Sequence, residues 1–283
     1  MVEIHEWDAR DTVALLRKPT ADDHKYSRGV LGVRTGSQEY PGAAVLGVEA
    51  AWRTGIGMVR YLGPERPADL VLQRRPETVT APGRVQAWLI GSGTDAATRP
   101  AAETARLGEL LQGDLPVVVD AGALDLVPGA TAPLVVTPHQ SEHARLRGLL
   151  GLDDVTPTSL TDRIEAARET AAAAGIAVLL KGAETVVAAP DGWTAVVRAG
   201  TGWLATAGTG DVLGGILGAV VAARGAQHDL DAAALAPLAA AAAYIHGHAG
   251  RGAGPGPITA LDVAEAVPAV IDVLLSGGDP AAR

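Results

Sequence analysis

Short, continuous apolar runs alternate with longer stretches of helical periodicity along this 283-residue chain. The runs at residues 29–33, 58–62, 84–90, 116–120, 134–137 and 176–181 are too short for helices and read as strands. Several end on a turn-forming or polar residue: Gly91, Asp120, Pro138 and Lys181. Helical periodicity marks residues 43–54 (after Pro41-Gly42), 101–111, 142–150, 161–174 (closed by Gly175), 211–223, 232–248 and 259–275. Residues 185–189 and 194–198 read as a hairpin turned at Pro190-Asp191-Gly192.

Strands apolar throughout and separated by helices predict an α/β fold, a mostly parallel sheet covered on both faces, with one late antiparallel hairpin. No long linker, composition break or internal repeat divides the chain, so residues 1–283 read as one domain. Residues 152–159 and 252–257 are the expected loops.

In such sheets ligands sit beyond the carboxyl ends of the strands. The residues expected there are Gly91-Ser92-Gly93, Asp120, Thr137-Pro138-His139, Lys181-Gly182 and the loop 206–211. That loop, Thr206-Ala207-Gly208-Thr209-Gly210-Asp211, runs straight into an apolar helix. Glycines before a helix let main-chain N–H groups approach an anion, and the helix N-terminus favours negative charge there. An acid beside a phosphate has one good chemical use: Asp211 would take a proton from a hydroxyl poised to attack a phosphoryl group. The alternative is an ordinary acid in a helix's first turn.

Composition narrows the picture. Hydrophobic residues make up 48% and charged residues 19%, as in a globular protein. The net charge of −9 argues against a nucleic-acid binder or a binder of anionic membranes. The absence of cysteine removes disulfides, thiolate catalysis and cysteine-ligated zinc. Residues 1–17 do not read as a signal peptide, and the alanine-rich run at 232–245 is too weakly apolar to span a bilayer, so a cytoplasmic location is expected.

No Gly-Lys pair exists, which excludes a P-loop. Gly91-Ser92-Gly93 lacks the third glycine of a dinucleotide-binding turn. His139-Gln140-Ser141-Glu142-His143 has the H-x-x-E-H spacing of one class of zinc protease, although His139 falls at a helix start rather than within a turn. His246 and His248 are two apart and would point to different faces of a helix, as buried or surface histidines rather than ligands. Lys181 is either a solvated lysine at a strand end or a point charge for phosphate. Asp120 is open between metal ligand, loop cap and loop support.

Six segments in order resemble one family. Ala50-Ala51-Trp52-Arg53-Thr54-Gly55-Ile56-Gly57 is similar to its "ALRTGAG" helix end, and Gly91-Ser92-Gly93 stands where it has "GPG". Val119-Asp120-Ala121-Gly122-Ala123-Leu124 is similar to "LDADAL", and Val136-Thr137-Pro138-His139-Gln140-Ser141-Glu142 to "LTPHPGE". Leu180-Lys181-Gly182-Ala183-Glu184-Thr185 is similar to "LKGAGT", and the stretch 206–215 to "MATAGSGDVL". The chain thus resembles the ADP- or ATP-dependent NAD(P)H-hydrate dehydratases. It departs from their pattern at Tyr26, Ser92, Gln140-Ser141 and Gly202-Trp203.

The resemblance implies a ribokinase-like three-layer sandwich. It implies ADP-dependent dehydration of the S epimer of NADHX or NADPHX by phosphorylation of the C6 hydroxyl and elimination of phosphate, with AMP as the other product. Asp211 would be the general base, and the N–H groups of Gly208 to Gly210 would stabilise the transferring phosphoryl group. Ala43, Gly93, His139 and Asp211 would contact the hydrated cofactor. Lys181, Gly182, Ala183, Glu184, Thr185 and Gly210 would contact ADP or ATP. Mg²⁺ would bridge phosphates with few protein ligands, none of them assigned. A separate NAD(P)HX epimerase and a homo-oligomeric state are expected as well. The competing expectations are a thiazole or hydroxymethylpyrimidine kinase of the same fold, a nucleotide binder without chemistry, and the zinc protease.

Overall fold

Each apolar run read as a strand is a strand in the computed structural model, which describes residues 4–282. In chain order the first half comprises β1 (His5–Glu6), α1 (Ala9–Leu15), β2 (Val30–Arg34), α2 (Gly42–Arg53), β3 (Met58–Tyr61), α3 (Glu65–Arg74), β4 (Ala87–Ile90), α4 (Ala101–Leu111) and β5 (Val117–Val119). It continues with β6 (Leu134–Val136), α5 (Gln140–Leu149), α6 (Leu160–Ala174), β7 (Ala177–Leu180), β8 (Thr185–Ala188), β9 (Thr194–Val197), α7 (Thr209–Gly225), α8 (Ala232–Gly252) and α9 (Ala260–Leu275).

The strands form one sheet in the order β1-β9-β8-β7-β6-β5-β4-β2-β3. Pairing is parallel except at β7–β8 and β8–β9, where the expected hairpin folds back. Alternation along a strand sends successive side chains to opposite faces. In β7, Ala177 and Leu179 join the core beneath α2, α7, α8 and α9, while Val178 and Leu180 join the core beneath α4, α5 and α6. Both faces are covered, which is why these strands show no polar alternation.

α7 is buried along nearly its whole length, from Val212 to Ala222. Its glycines permit this: a Cβ at Gly215 would lie 2.2 Å from the Gly47 carbonyl oxygen of α2. The two helices therefore meet backbone to backbone, and the N-terminus of α7 is held against the start of α2.

Three elements were not foreseen. α3 contains Pro67 in its first turn and buries only Pro67 and Val71, one turn apart, so its apolar face is narrow. β1 is two residues long and depends on parallel pairing with β9; α1 follows it under an Asp8 capping box. The first three residues of the opening segment lie outside the described residues. Among the described residues no helix is long and apolar enough to cross a membrane.

Candidate functional site

The carboxyl ends of β4, β5, β6 and β7 lie side by side in the sheet, so the polar residues that follow them meet. Asp120, after β5, is almost fully buried. Its carboxylate accepts from Ser92 Oγ at 3.0 Å, from Thr137 Oγ1 at 2.7 Å and from Lys181 Nζ at 2.9 Å. The open question about Asp120 is thereby answered in part: it ties together the loops after β4, β6 and β7. Lys181 Nζ also lies 3.8 Å from Glu142 Oε2. Burial acts to lower the lysine pKa, but the Asp120 and Glu142 charges outweigh it and hold the ammonium above its ordinary value.

The ammonium sits over the start of α7, where a Cβ on Gly210 would be 3.6 Å from Nζ. Gly208 caps that helix with φ +91°, a left-handed conformation suited to glycine. Thr209 closes the turn by donating to the Leu204 and Thr206 carbonyls. No side chain caps α7. The N–H groups of Gly210 and Asp211, in the first turn, are left for a ligand.

Asp211 follows at once. Among the described residues nothing donates a hydrogen bond to its carboxyl. Burial pushes its pKa up to about 7, the Asp120 charge adds to the rise, and Lys181 opposes it. The result is a carboxyl poised to exchange a proton near neutral pH.

Two hollows flank this cluster. One, of about 500 Å³, is lined by His139, Lys181, Gly182, Ala183, Thr185 and Gly210 at its polar end and by Val197, Ala199, Leu204, Leu213 and Ala243 elsewhere. The other, of about 470 Å³, lies on the Gly93 side and includes Tyr40, Gly122, Glu142 and Arg145. It shares Thr94 and Asp95 with a wider hollow of about 870 Å³ that reaches Arg66 and Arg106. A Cβ on Gly93 would come within 2.5 Å of the Ala43 Cβ, so Ala43 and Gly93 are packed together.

The residues singled out in the sequence thus divide between two neighbouring sides. Lys181 to Ala183, Thr185, His139 and Gly210 line the first hollow, and Gly93 lines the second, with Ala43 beneath it. Glu184 lines neither: its carboxylate pairs with Arg198 at 2.7 Å, and its carbonyl accepts from Arg163. The two histidines of the H-x-x-E-H spacing part company. His139 caps α5, its main-chain N–H donating to Glu142 and its Nδ1 accepting from the Glu142 N–H. His143 is fully buried 2.9 Å from Thr170 Oγ1. The metalloprotease geometry is therefore not formed. His246, read from the sequence as a buried or surface histidine rather than a ligand, is buried against the first hollow and carries a ring nitrogen without a partner.

Comparison with known proteins gives a consistent result. The sequence profile of the NAD(P)H-hydrate dehydratase family matches residues 31–266. A bifunctional NAD(P)H-hydrate repair enzyme of Mycobacterium leprae is 45% identical over 227 residues, covering 76% of this chain and 45% of the relative. The chain spans about half the length of the bifunctional relatives it matches. An ADP-dependent (S)-NAD(P)H-hydrate dehydratase of Neisseria meningitidis is 36% identical over 219 residues, covering 71% of this chain and 72% of the relative. The crystal structure of an ADP/ATP-dependent NAD(P)H-hydrate dehydratase from Bacillus subtilis, co-crystallized with ATP/Mg²⁺, superimposes with a TM-score of 0.79 at 26% identity, covering 97% of this chain and all of the other. The expected ribokinase-like architecture is the one observed.

Proposed function

The chain belongs to the NAD(P)H-hydrate dehydratase family, and we propose that it repairs hydrated nicotinamide cofactors in an ADP-dependent reaction. The substrate is the S epimer of NADHX or NADPHX, and the products are NADH or NADPH, AMP and phosphate. One observation carries this assignment above all: the unpartnered Asp211 carboxyl, raised to about 7, at a helix N-terminus open to anions.

Asp211 takes the proton of the C6 hydroxyl as that oxygen attacks the terminal phosphoryl group of ADP. The N–H groups of Gly208 and Gly210 and the Lys181 ammonium hold the charge that gathers on the transferring group, while the Thr209 N–H stays on the Thr206 carbonyl. The C6–O bond then breaks, phosphate leaves with the electron pair as a far better leaving group than hydroxide, a proton is lost from C5, and the C5–C6 double bond returns. The apolar hollow beside Lys181, Gly182, Ala183 and Thr185 suits the adenine nucleotide. The adjoining hollows beyond Ala43 and Gly93, of about 470 and 870 Å³, suit the larger hydrated cofactor, with His139 and Asp211 between the two ligands.

A Mg²⁺ ion fits this setting only as a companion of the phosphates. Among the described residues no three His, Asp or Glu side chains are grouped to hold a metal, and the nearest carboxylates, Asp120 and Glu142, already face Lys181. Mg²⁺ retains water and binds phosphate oxygens, so it would neutralise charge on the nucleotide with little help from the chain. We further propose that an NAD(P)HX epimerase works alongside this chain, that residues 1–283 act as one domain, and that the protein is a cytoplasmic homo-oligomer.

Incubating the protein with NADHX and either ADP or ATP tests the reaction and the nucleotide together. Return of NADH absorbance with stoichiometric phosphate is expected, faster with ADP. Accumulation of a stable phosphorylated product would instead identify a kinase.

A further inference from the structure

Few large apolar side chains stand exposed among the described residues, yet two of them, Tyr40 and Leu149, line the same hollow of about 470 Å³ beside Gly93. Exposed apolar surface gathered around a concavity marks a binding surface. One wall of the hollow is a single face of α5: Glu142, Arg145, Leu146 and Leu149 follow one another at helical spacing, and all four line it. α5 starts at the catalytic cluster, where Glu142 faces Lys181 at 3.8 Å. With a rise of about 1.5 Å per residue, Arg145 lies about 4.5 Å and Leu149 about 10 Å farther along the axis. Tyr40 precedes α2, and its carbonyl oxygen would lie 2.8 Å from a Cβ on Gly93. The hollow therefore leads from Tyr40 and the reacting centre, past a guanidinium, to the exposed Leu149.

We propose that this hollow, and not the wider one of about 870 Å³, holds the adenylate half of the hydrated cofactor, with Arg145 on its diphosphate and Leu149 against its adenosine. This rests on the assignment of a hydrated nicotinamide dinucleotide to the site. The order of groups along α5 matches the order along such a molecule outward from the nicotinamide: diphosphate first, then adenosine. Charge decides between the two hollows. In the narrower one Asp125 is paired with Arg99, and Glu142 faces Lys181. Arg145 is exposed and makes no ion pair or hydrogen bond among the described residues, and the one acid left to oppose it is Asp95. In the wider hollow, outside the pairs that Arg99 and Glu103 already make, Glu39, Glu65, Asp69 and Asp95 outnumber Arg66 and Arg106. A diphosphate is repelled by that second set and drawn to a free guanidinium, which can engage it through two N–H groups.

Steady-state kinetics of the full chain at saturating ADP and Mg²⁺, with (S)-NADHX and with the hydrated form of reduced nicotinamide mononucleotide, test this. The mononucleotide keeps the reacting ring and lacks the adenylate half. Its KM with the wild type should be roughly tenfold above that of NADHX. Arg145→Ala should raise the KM for NADHX roughly tenfold, the range of a charge-assisted hydrogen-bonded contact, with kcat and the affinity for ADP close to wild type. Arg145→Lys should recover part of the loss. Leu149→Ser should raise the KM for NADHX roughly threefold through lost apolar contact and leave that for the mononucleotide unchanged. A larger rise for Arg106→Ala than for Arg145→Ala would put the adenylate half in the wider hollow and overturn the assignment. Equal KM values for the two substrates in the wild type would overturn it as well, even where a variant does not fold. Wild-type KM in the Arg145 and Leu149 variants also overturns it; a changed mass of those variants by light scattering would then mark this face as one between two copies of the chain. Absence of any wild-type turnover of NADHX removes the dehydratase assignment itself, and with it this role for the hollow.

Discussion

Glu49 and Asp211 stand on packed neighbours, α2 and α7, yet their chemistry is opposite. Glu49 is fully buried and accepts from Arg53 at 3.0 Å, from Arg74 at 3.2 Å and from Arg75 at 2.5 Å. Burial acts to raise its pKa, but the three guanidinium groups win and hold it down at about 2. Asp211 is partly buried with no such partner, and the same burial drives it up to about 7. A carboxylate that binds helices together is saturated with donors. One meant to exchange protons is left short of them.

The largest effect that separates the two is on turnover. Asp211→Asn should lower the dehydration rate by about 10²–10⁴-fold, the usual span for a general base, while ADP affinity by titration stays close to wild type. Near wild-type turnover would put Asp211 on the same structural footing as Glu49. Glu49→Gln should do the reverse. It strands Arg53 and leaves Arg74 and Arg75 with only Glu265 and Glu77, and breaking one side of a buried ion network costs about 3–5 kcal/mol, read as a lower denaturant midpoint with little change in KM.

The stability of the Asp211 variant sharpens the contrast. A carboxyl whose folded pKa lies above its unfolded value stabilises the chain only at low pH, and that contribution fades as pH rises toward 7. Asp211→Asn should therefore unfold at higher denaturant than the wild type above pH 7 and lose that advantage below about pH 4. Equal midpoints at both pH values would mean that Asp211 is not strained. Next in size is the pH profile. The wild-type rate should rise with pH through about 7 as Asp211 loses its proton. In Asp120→Asn, which removes a neighbouring charge, that limb should move to lower pH.

The smallest effect concerns His143. Its folded pKa, about 4, lies below the usual 6.5. Stability is then complete above about pH 6.5 and drains away as pH falls toward 4. His143→Gln should flatten that slope in an acid denaturation series.

What the sequence revealed follows the same division. The strands were legible because both of their faces are buried, which leaves runs such as Val117–Val119 wholly apolar. The edge of the site was legible because strand ends carry its chemistry: Asp120, His139, Lys181 and Asp211 all follow strands or glycine-rich turns. Contacts built by tertiary packing were hidden. Arg75 reaches Glu49 across 26 residues, and neither shows any pattern that announces the other. His246 sits in an alanine-rich helix whose sequence gives no hint that one side chain turns into a hollow. α3 was missed because its charged surface face dominates its short span.

The central claim is that Asp211 serves phosphoryl transfer to a hydrated nicotinamide. Single-turnover kinetics with (S)-NADHX, comparing the wild type with Asp211→Asn at saturating ADP and Mg²⁺, address it most directly. The prediction is ADP-dependent return of NADH in the wild type, with one phosphate released per NADH, and loss of both signals in the variant while ADP still binds. Return of NADH at similar rates in both proteins, or without ADP, would contradict it.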